Sequence, residues 1–288
     1  MSRAVSPVSG RPYGLAAVCR AWRLARSTAY RRRAPPRPEP PRRPGPVGPM
    51  PDEALVDAIR AVLAASLFHG EGHRKVWARL RLGGVRTSKR RVLRLMRAQG
   101  LLAPSRVGAP RGPRAHDGTI VPDAVDVLWG TDFTTTMTGE GQAAVFVALD
   151  HCSAECVGLH AAQQATRFEA LEPIRQGVRR CFGAFGEGIA SGLALRHDHG
   201  PQYLADAFQK ELRFLGIDSS PAFVRAPEGN GCAERFIRRR TFDTVEELRL
   251  ALLEFRETYN ATWLIERHGF RPPEAIRREQ LQPATLAA

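Results

Sequence analysis

The sequence predicts a mixed α/β domain preceded by two small all-helical units. Three observations point to it. Residues 14–33 and 52–103 place apolar side chains at helical spacing, residues 127–161 give three successive strand-like runs, and the chain after residue 166 alternates helix and strand. Proline-rich stretches at 35–51 and 104–123 separate these regions, and divide the chain into 1–34, 35–51, 52–103, 104–123, 124–279 and a tail at 280–288.

Residues 14–33 read as two short helices around a tight connection. Leu15, Val18, Cys19 and Trp22 line the first, and Ser27 is placed to cap the second, which runs through Thr28 and Tyr30 into Arg31, Arg32 and Arg33. A helix-turn-helix of this kind can set its second helix in a DNA groove, although a helical hairpin with a solvated arginine tail has the same pattern. Nine of the seventeen residues from Pro35 to Pro51 are proline, which excludes helix and central strand and implies a stiff linker.

In the second unit Leu55, Ile59, Val62 and Leu63 form one apolar stripe, and Val76 with Leu80 a shorter one. A third helix, capped by Ser88 and closed by Gly100, places Val92, Leu93 and Met96 inside and Lys89, Arg90, Arg91, Arg94 and Arg97 outside. Five cations on about three turns suit a phosphate backbone, as they also suit an ordinary solvated face.

The back part begins as a meander. Val127–Thr135, Ala143–Leu149 and Glu155–Ala161 are strand-like, with a turn at Gly139–Glu140–Gly141. Thr166 and Glu169 make a capping box for a helix carrying Leu171, Ile174, Val178 and Cys181, in which Pro173 marks a kink or the true first turn. A short buried strand at 193–196 follows, then a helix with Phe208, Leu212 and Leu215 ended by Gly216, a strand-like run at 217–223, and a last helix capped by Thr244 and Glu247 that carries Leu248, Leu252, Phe255 and Tyr259.

Charge is divided unevenly along the chain. Residues 1–115 hold 25 Lys and Arg against 5 Asp and Glu, a net of +20, whereas residues 116–288 hold 18 against 24, a net of −6. A basic front attached to a mildly acidic back implies that the first meets a polyanion while the second keeps carboxylates for another task. No apolar run approaches the roughly 18 residues of a membrane span and no secretory signal opens the chain, so a soluble, cytoplasmic protein without a membrane partner is expected. Five scattered cysteines without a CxxC pair imply reduced, packed thiols, and neither His151–Cys152–Cys156 nor His69 and His73 completes a zinc site.

Three carboxylates stand out by context, although a single Asp or Glu is more often a solvated surface residue or salt-bridge partner. Asp132 lies in a strand among Leu128, Trp129 and Phe133, where an unpartnered charge is costly. Asp198 follows the short strand in RHDHGPQY, at the strand end where open α/β sheets carry their sites. Glu234 lies in GNGCAERFIRR, with thirty-five residues between it and Asp198. His197 and His199 flank Asp198, but neighbouring side chains on a strand point oppositely, so hydrogen bonding or phosphate contact suits them better than a shared metal.

With these motifs, residues 124–279 resemble the integrase core of bacterial insertion-sequence transposases, kin to retroviral integrases. Trp129, Asp132 and Thr134 match the family's first motif, Asp198, Gly200, Gln202 and Tyr203 its second, and Asn230 with Glu234 its third. The helical front resembles the front part of the same enzymes, so the likeness runs through nearly the whole chain. It implies a ribonuclease-H-like sheet and a catalytic, metal-binding Asp132, Asp198, Glu234 triad holding two Mg²⁺ or Mn²⁺ ions about 3.5–4 Å apart. Asp132 would bridge the ions, and Asp198 and Glu234 would each complete one.

The implied reaction is cleavage at the transposon ends and transfer of the freed 3′-hydroxyl into target DNA. Double-stranded terminal repeats and target DNA would be the partners, with a homo-oligomer assembled on DNA, nucleoid association and an upstream-frame protein as a further partner. Ser27, Thr28, Tyr30, Arg31, Arg32, Lys89, Arg90, Arg94, Arg225, Asn230, Arg235 and Arg238 are the candidate DNA contacts. One departure from the family pattern is a run of only eight residues, AERFIRRR, before TFDTVEEL; the Glu-bearing helix is short by roughly two to three turns at 3.6 residues each and lacks the family's lysine. That departure favours one alternative to a competent transposase, an impaired copy that only binds transposon ends, cutting them slowly if at all; a second alternative is a structure-selective nuclease of the same fold, which the carboxylates alone would also suit.

Overall fold

The computed structural model describes residues 4–33, 50–68, 70–103, 121–221, 237 and 240–282. The chain divides into two units, 1–47 and 48–288. In the first, helices α1 (Leu15–Ala21) and α2 (Arg26–Arg33) form the expected hairpin. Two details differ from the sequence reading. Helix α2 starts at Arg26, where the Ala25 carbonyl accepts from the Thr28 and Ala29 amides, so Ser27 sits inside the first turn and does not cap it. Of the apolar face of α1 only Cys19 is buried, while Trp22 stays 61% exposed, because so short a hairpin has little surface to bury it against.

The second unit opens with three helices, α3 (Asp52–Ala65), α4 (His73–Leu82) and α5 (Lys89–Ala98). Leu55, Ile59, Val76, Leu80, Val92, Leu95 and Met96 make their shared core. Ser88 caps α5 by accepting from the Arg91 amide at 3.2 Å, and Gly100 takes the left-handed conformation beyond its end at φ +66°. Leu95, not Leu93, is the third buried residue of α5, and Leu93 is half-buried.

The sheet has five strands in the order β3-β2-β1-β4-β5: β1 (Leu128–Thr138), β2 (Gly141–Asp150), β3 (Cys156–Ala162), β4 (Ala194–His197) and β5 (Asp218–Pro221). The meander β1-β2-β3 is antiparallel, and β4 and β5 join it in parallel through helical crossovers. This is the mixed, ribonuclease-H-like α/β arrangement expected from the order of elements.

One face of the sheet packs on α6 (Arg167–Phe182) and α8 (Asp206–Leu215), with Trp129, Phe146, Leu171, Ile174, Leu195, Tyr203, Phe208 and Leu212 at its centre. The other face, with Ala143, Val145, Val147 and Leu159, packs on α9 (Val245–Thr262) through Leu248, Leu252, Phe255 and Tyr259. Both expected capping boxes form: Thr166 accepts from the Glu169 amide and Thr244 from the Glu247 amide. Pro173 lies in the interior of α6, and the first turn begins at Arg167.

Helix α6 comes so close to β3 there that a Cβ on Gly158 would lie 1.9 Å from the Pro173 carbonyl oxygen. Neither backbone can yield easily. Gly158→Ala is therefore expected to cost about 1–3 kcal/mol or more by overpacking, read as a lowered urea midpoint; an unchanged midpoint would show that helix and strand do not approach this closely.

Helix α10 (Pro273–Leu281) closes the unit, and its Arg277 is buried. It makes paired hydrogen bonds of 2.6 and 2.8 Å to Asp126, which also accepts from the Trp129 indole at 3.0 Å, and it pairs with buried Glu155. These bonds tie the start of β1 to the last helix. The helices α3–α5 are fastened to the same region: Arg79 pairs with Glu71 at 2.7 Å and reaches the Thr262 carbonyl, Phe68 packs edge-on against Trp263 and Phe255, and Arg74 meets Glu266.

Candidate active site

Parallel pairing of β1 with β4 brings the first two candidate carboxylates together. Leu128 pairs with Ala194, Trp129 with Leu195 and Gly130 with Arg196, so continuing the register by two residues sets Asp132 level with Asp198. By strand alternation Asp132 lies on the face opposite Trp129, and the same alternation carried one residue past the end of β4 would set Asp198 there too, opposite His197. Each is half-buried. Oδ1 of Asp132 accepts from the Phe133 amide and Oδ1 of Asp198 from the Gly200 amide, both at 2.8 Å.

The second motif has a visible structural logic. Gly200 leaves room for the turn, since a Cβ there would lie 2.5 Å from Gln202 Nε2 and 2.9 Å from Asp198 Oδ1. Pro201 then starts α7 (Pro201–Leu204), which buries Gln202 and Tyr203. The Tyr203 hydroxyl and Gln202 Nε2 are buried, and the side chains of Thr131 and Gln202 face the hydroxyl closely enough to counter part of the rise in its pKa. Burial pushes the Tyr203 phenol pKa up, and the negative charges of Asp132 and Asp198 push it the same way, which places this neutral donor within reach of both carboxylates' fields.

Glu234 lies outside the described residues, as do Arg225, Asn230, Arg235 and Arg238. Ile237, three positions after Glu234, is buried in the cluster formed by Val145, Val147 and α9. Val147 is the cross-strand partner of Asp132, so that cluster lies on the carboxylate face. Phe242 is buried there too, and its carbonyl accepts from the Gly139 amide at 2.9 Å, which stitches the start of the last helical segment to the β1–β2 turn.

The two histidines beside Asp198 differ. His197 is buried and hydrogen-bonds through both nitrogens, while His199 is exposed. The described cysteines are unpaired. Burial raises the pKa of Cys152 and holds the Cys156 and Cys181 thiols at about 12, so these three are unreactive packing groups.

Among the candidate DNA contacts, Ser27, Tyr30, Arg31 and Arg32 are placed on α2, where Tyr30, Arg31 and Arg32 are exposed, Ser27 is exposed and Thr28 is half-buried. Lys89 and Arg90 are exposed at the start of α5, where Lys89 lies over the rings of Trp77 and Phe270 at 4.6 and 5.2 Å. Arg94 and Arg91 do not point freely outward. Both pair with Asp52, at 2.5 and 2.7 Å, and their hydrogen bonds, that of Arg94 first, hold the Asp52 carboxyl below its ordinary range. Sequence periodicity missed this pair because Asp52 is about forty residues away, at the start of α3. It also missed the polar pair Gln202 and Tyr203 as buried donors, though their place directly after Asp-x-Gly was a signal that could have found them.

Two family models match the chain, an HTH-like domain over residues 51–108 and an integrase core domain over residues 122–227. The matched domains and the sheet topology thus define a protein of the integrase-core superfamily, which includes DDE transposases and retroviral integrases, with a helix-turn-helix-like domain in front. Within that class the chain is homologous to the InsD transposases of insertion element IS2, which supports a DNA transposase or integrase function with polynucleotidyl transferase activity. Transposase InsD for insertion element IS2A/D/F/H/I/K of Escherichia coli is 29% identical over 224 residues, covering 73% of this chain and 74% of the relative, and InsD for IS2D of Escherichia coli strain K12 matches to the same extent. Among solved structures, the simian T-cell lymphotropic virus intasome matches with a TM-score of 0.46 and 17% identity, over 73% of this chain and 74% of that one. The HTLV-2 integrase catalytic core domain in complex with magnesium gives a TM-score of 0.39 and 16% identity, over 56% and 99%.

Proposed function

We propose that Asp132, Asp198 and Glu234 form the catalytic metal-binding triad of this transposase, that the reaction uses two divalent ions, Mg²⁺ or Mn²⁺, and that it proceeds by cleavage at the element's ends followed by joining of the freed 3′-hydroxyl to target DNA. The observation that carries the reading is the parallel β1–β4 register, whose continuation by two residues supports setting half-buried Asp132 and Asp198 level with each other. The donor set fits hard cations, because carboxylate oxygens are their preferred ligands, and the buried Nε2 of Gln202 lies near Asp198 at the Gly200 turn. Burial of Ile237 on the carboxylate face supports the same placement for the Glu234 segment.

When bound, the ions would stabilise negative charge on the attacking and leaving oxygens of an in-line phosphodiester displacement. The chain's own part is to hold the carboxylates. The Phe133 and Gly200 amides each take one oxygen and so set the direction of the other, while the sheet keeps Asp132 and Asp198 side by side. Arg31, Arg32, Lys89 and Arg90, with Arg225, Asn230, Arg235 and Arg238, would contact terminal-repeat and target DNA, in a homo-oligomer on the nucleoid. An upstream-frame protein would be a further partner.

The eight-residue run that contains Glu234, AERFIRRR, is short for a self-supporting helix. Ile237 within it and Phe242 just beyond it are buried in one cluster, and this packing supports a competent enzyme over a copy that only binds DNA. Metal removal tests the reading. With EDTA in place of Mg²⁺, cleavage of terminal DNA should stop while gel-shift binding persists; cleavage that continues in EDTA would overturn the metal assignment.

A further inference from the structure

His197 sits immediately before Asp198 and points to the other face of the sheet, away from the carboxylates. Its ring is held on every side. It stacks on Tyr203 at 5.5 Å between centroids and meets Phe208 edge-on at 6.0 Å, and it is 2% exposed. Nδ1 lies 2.7 Å from the main-chain oxygen of Asp198, and Nε2 lies 2.9 Å from the Ser219 hydroxyl on β5.

These contacts define the proton arrangement. A carbonyl oxygen can only accept, so Nδ1 carries the hydrogen and donates it; in the neutral ring Nε2 then accepts from the Ser219 hydroxyl. The donor of His197 is thus directed at the point where the chain leaves β4 and the carboxylate begins its work. Gly200 holds the Asp198 side chain from one end, through its amide at 2.8 Å, and His197 holds the main chain from the other.

We propose that His197, braced by Ser219, is a positioning residue that fixes the Asp198 backbone and thereby the aim of its carboxylate at a divalent ion. The inference rests on the reading of Asp198 as a metal ligand. A metal-ligating side chain depends on outer partners that orient it, and losing such a partner weakens metal affinity by roughly ten- to a hundredfold. A purely packing role would need only the aromatic ring.

The test is direct Mn²⁺ binding to the full-length protein, by electron paramagnetic resonance of free Mn²⁺ or by calorimetry, with melting temperature recorded alongside. His197→Phe keeps a ring in the slot between Tyr203 and Phe208 and removes both polar contacts; it should weaken Mn²⁺ binding about tenfold. His197→Asn restores an N–H at the Nδ1 position and should recover binding to within about threefold of the natural protein. Ser219→Ala, which deletes only the hydroxyl that meets Nε2 of His197, should shift binding in the same direction as His197→Phe, by a few-fold.

Asp198→Asn separates the two readings. If Asp198→Asn loses Mn²⁺ while His197→Phe binds it like the natural protein, the positioning role is wrong and the ligand assignment stands. If Asp198→Asn itself binds Mn²⁺ unchanged, the ligand assignment fails and this inference falls with it. Equal weakening in His197→Phe and His197→Asn, tracking a lowered melting temperature, would show that the residue matters only for packing. Should His197→Phe fail to fold, Ser219→Ala decides: unchanged binding there overturns the brace.

Discussion

Asp198→Asn is expected to reduce Mg²⁺-dependent cleavage of terminal DNA on the order of a thousandfold or more while leaving binding to the same DNA within a few-fold. The size follows from the chemistry. Stabilising charge on attacking and leaving oxygens is worth several kcal/mol, and each 1.36 kcal/mol lost from the barrier is tenfold in rate. An amide in place of the carboxylate has nearly the same shape, so the Gly200 amide still finds an oxygen and the turn into α7 survives. The measurement is a cleavage time course paired with a gel-shift titration; cleavage at the natural rate would remove Asp198 from the triad.

A second large effect is expected from the exposed cations of α2 and α5. The combined change Arg31→Gln, Arg32→Gln and Arg90→Gln should weaken end binding and flatten the slope of log K against log salt by about one unit for each phosphate that is no longer neutralised. Removing the whole front would be a less clean experiment, because Phe68 and Arg79 are part of the packing on α9 and Trp263, so their loss would uncover Phe255 as well as abolish charge. Lys89 and Arg94 are left out for a related reason: one lies over Trp77 and Phe270, and the other is paired with Asp52. An unchanged slope would mean that the phosphates are neutralised elsewhere, with Arg225, Arg235 and Arg238 the next to substitute.

Local signals carried most of the fold. Ser88, Thr166 and Thr244 each precede a helix with its capping partner in place, and Gly100 and Gly216 adopt the left-handed conformation just past helix ends, as their positions imply. The strand order is also legible, because an antiparallel meander followed by helix-strand alternation leaves few arrangements. The parallel β1–β4 pairing that would bring Asp132 and Asp198 together is part of that order.

What local patterns could not carry were contacts between residues far apart in the chain. Arg94 resembles every other arginine on the polar side of α5 until Asp52 is placed beside it, and Arg277 looks like a surface residue of the last helix until Asp126 and Glu155 close around it. Ser27 falls just inside α2 instead of at its cap, since the Ala25 carbonyl alone starts the helix. Pro173 neither breaks nor begins α6, because packing of Leu171, Ile174 and Val178 on the sheet outweighs one missing backbone donor.

The most direct test of the central claim is to incubate the purified protein with DNA carrying its own element's ends, in Mg²⁺, and to resolve the products on a sequencing gel. Nicks at the element's ends together with molecules in which the new 3′-hydroxyl is joined to a second DNA are the predicted result. Bound but uncut DNA, or cut ends that are never joined, would contradict it.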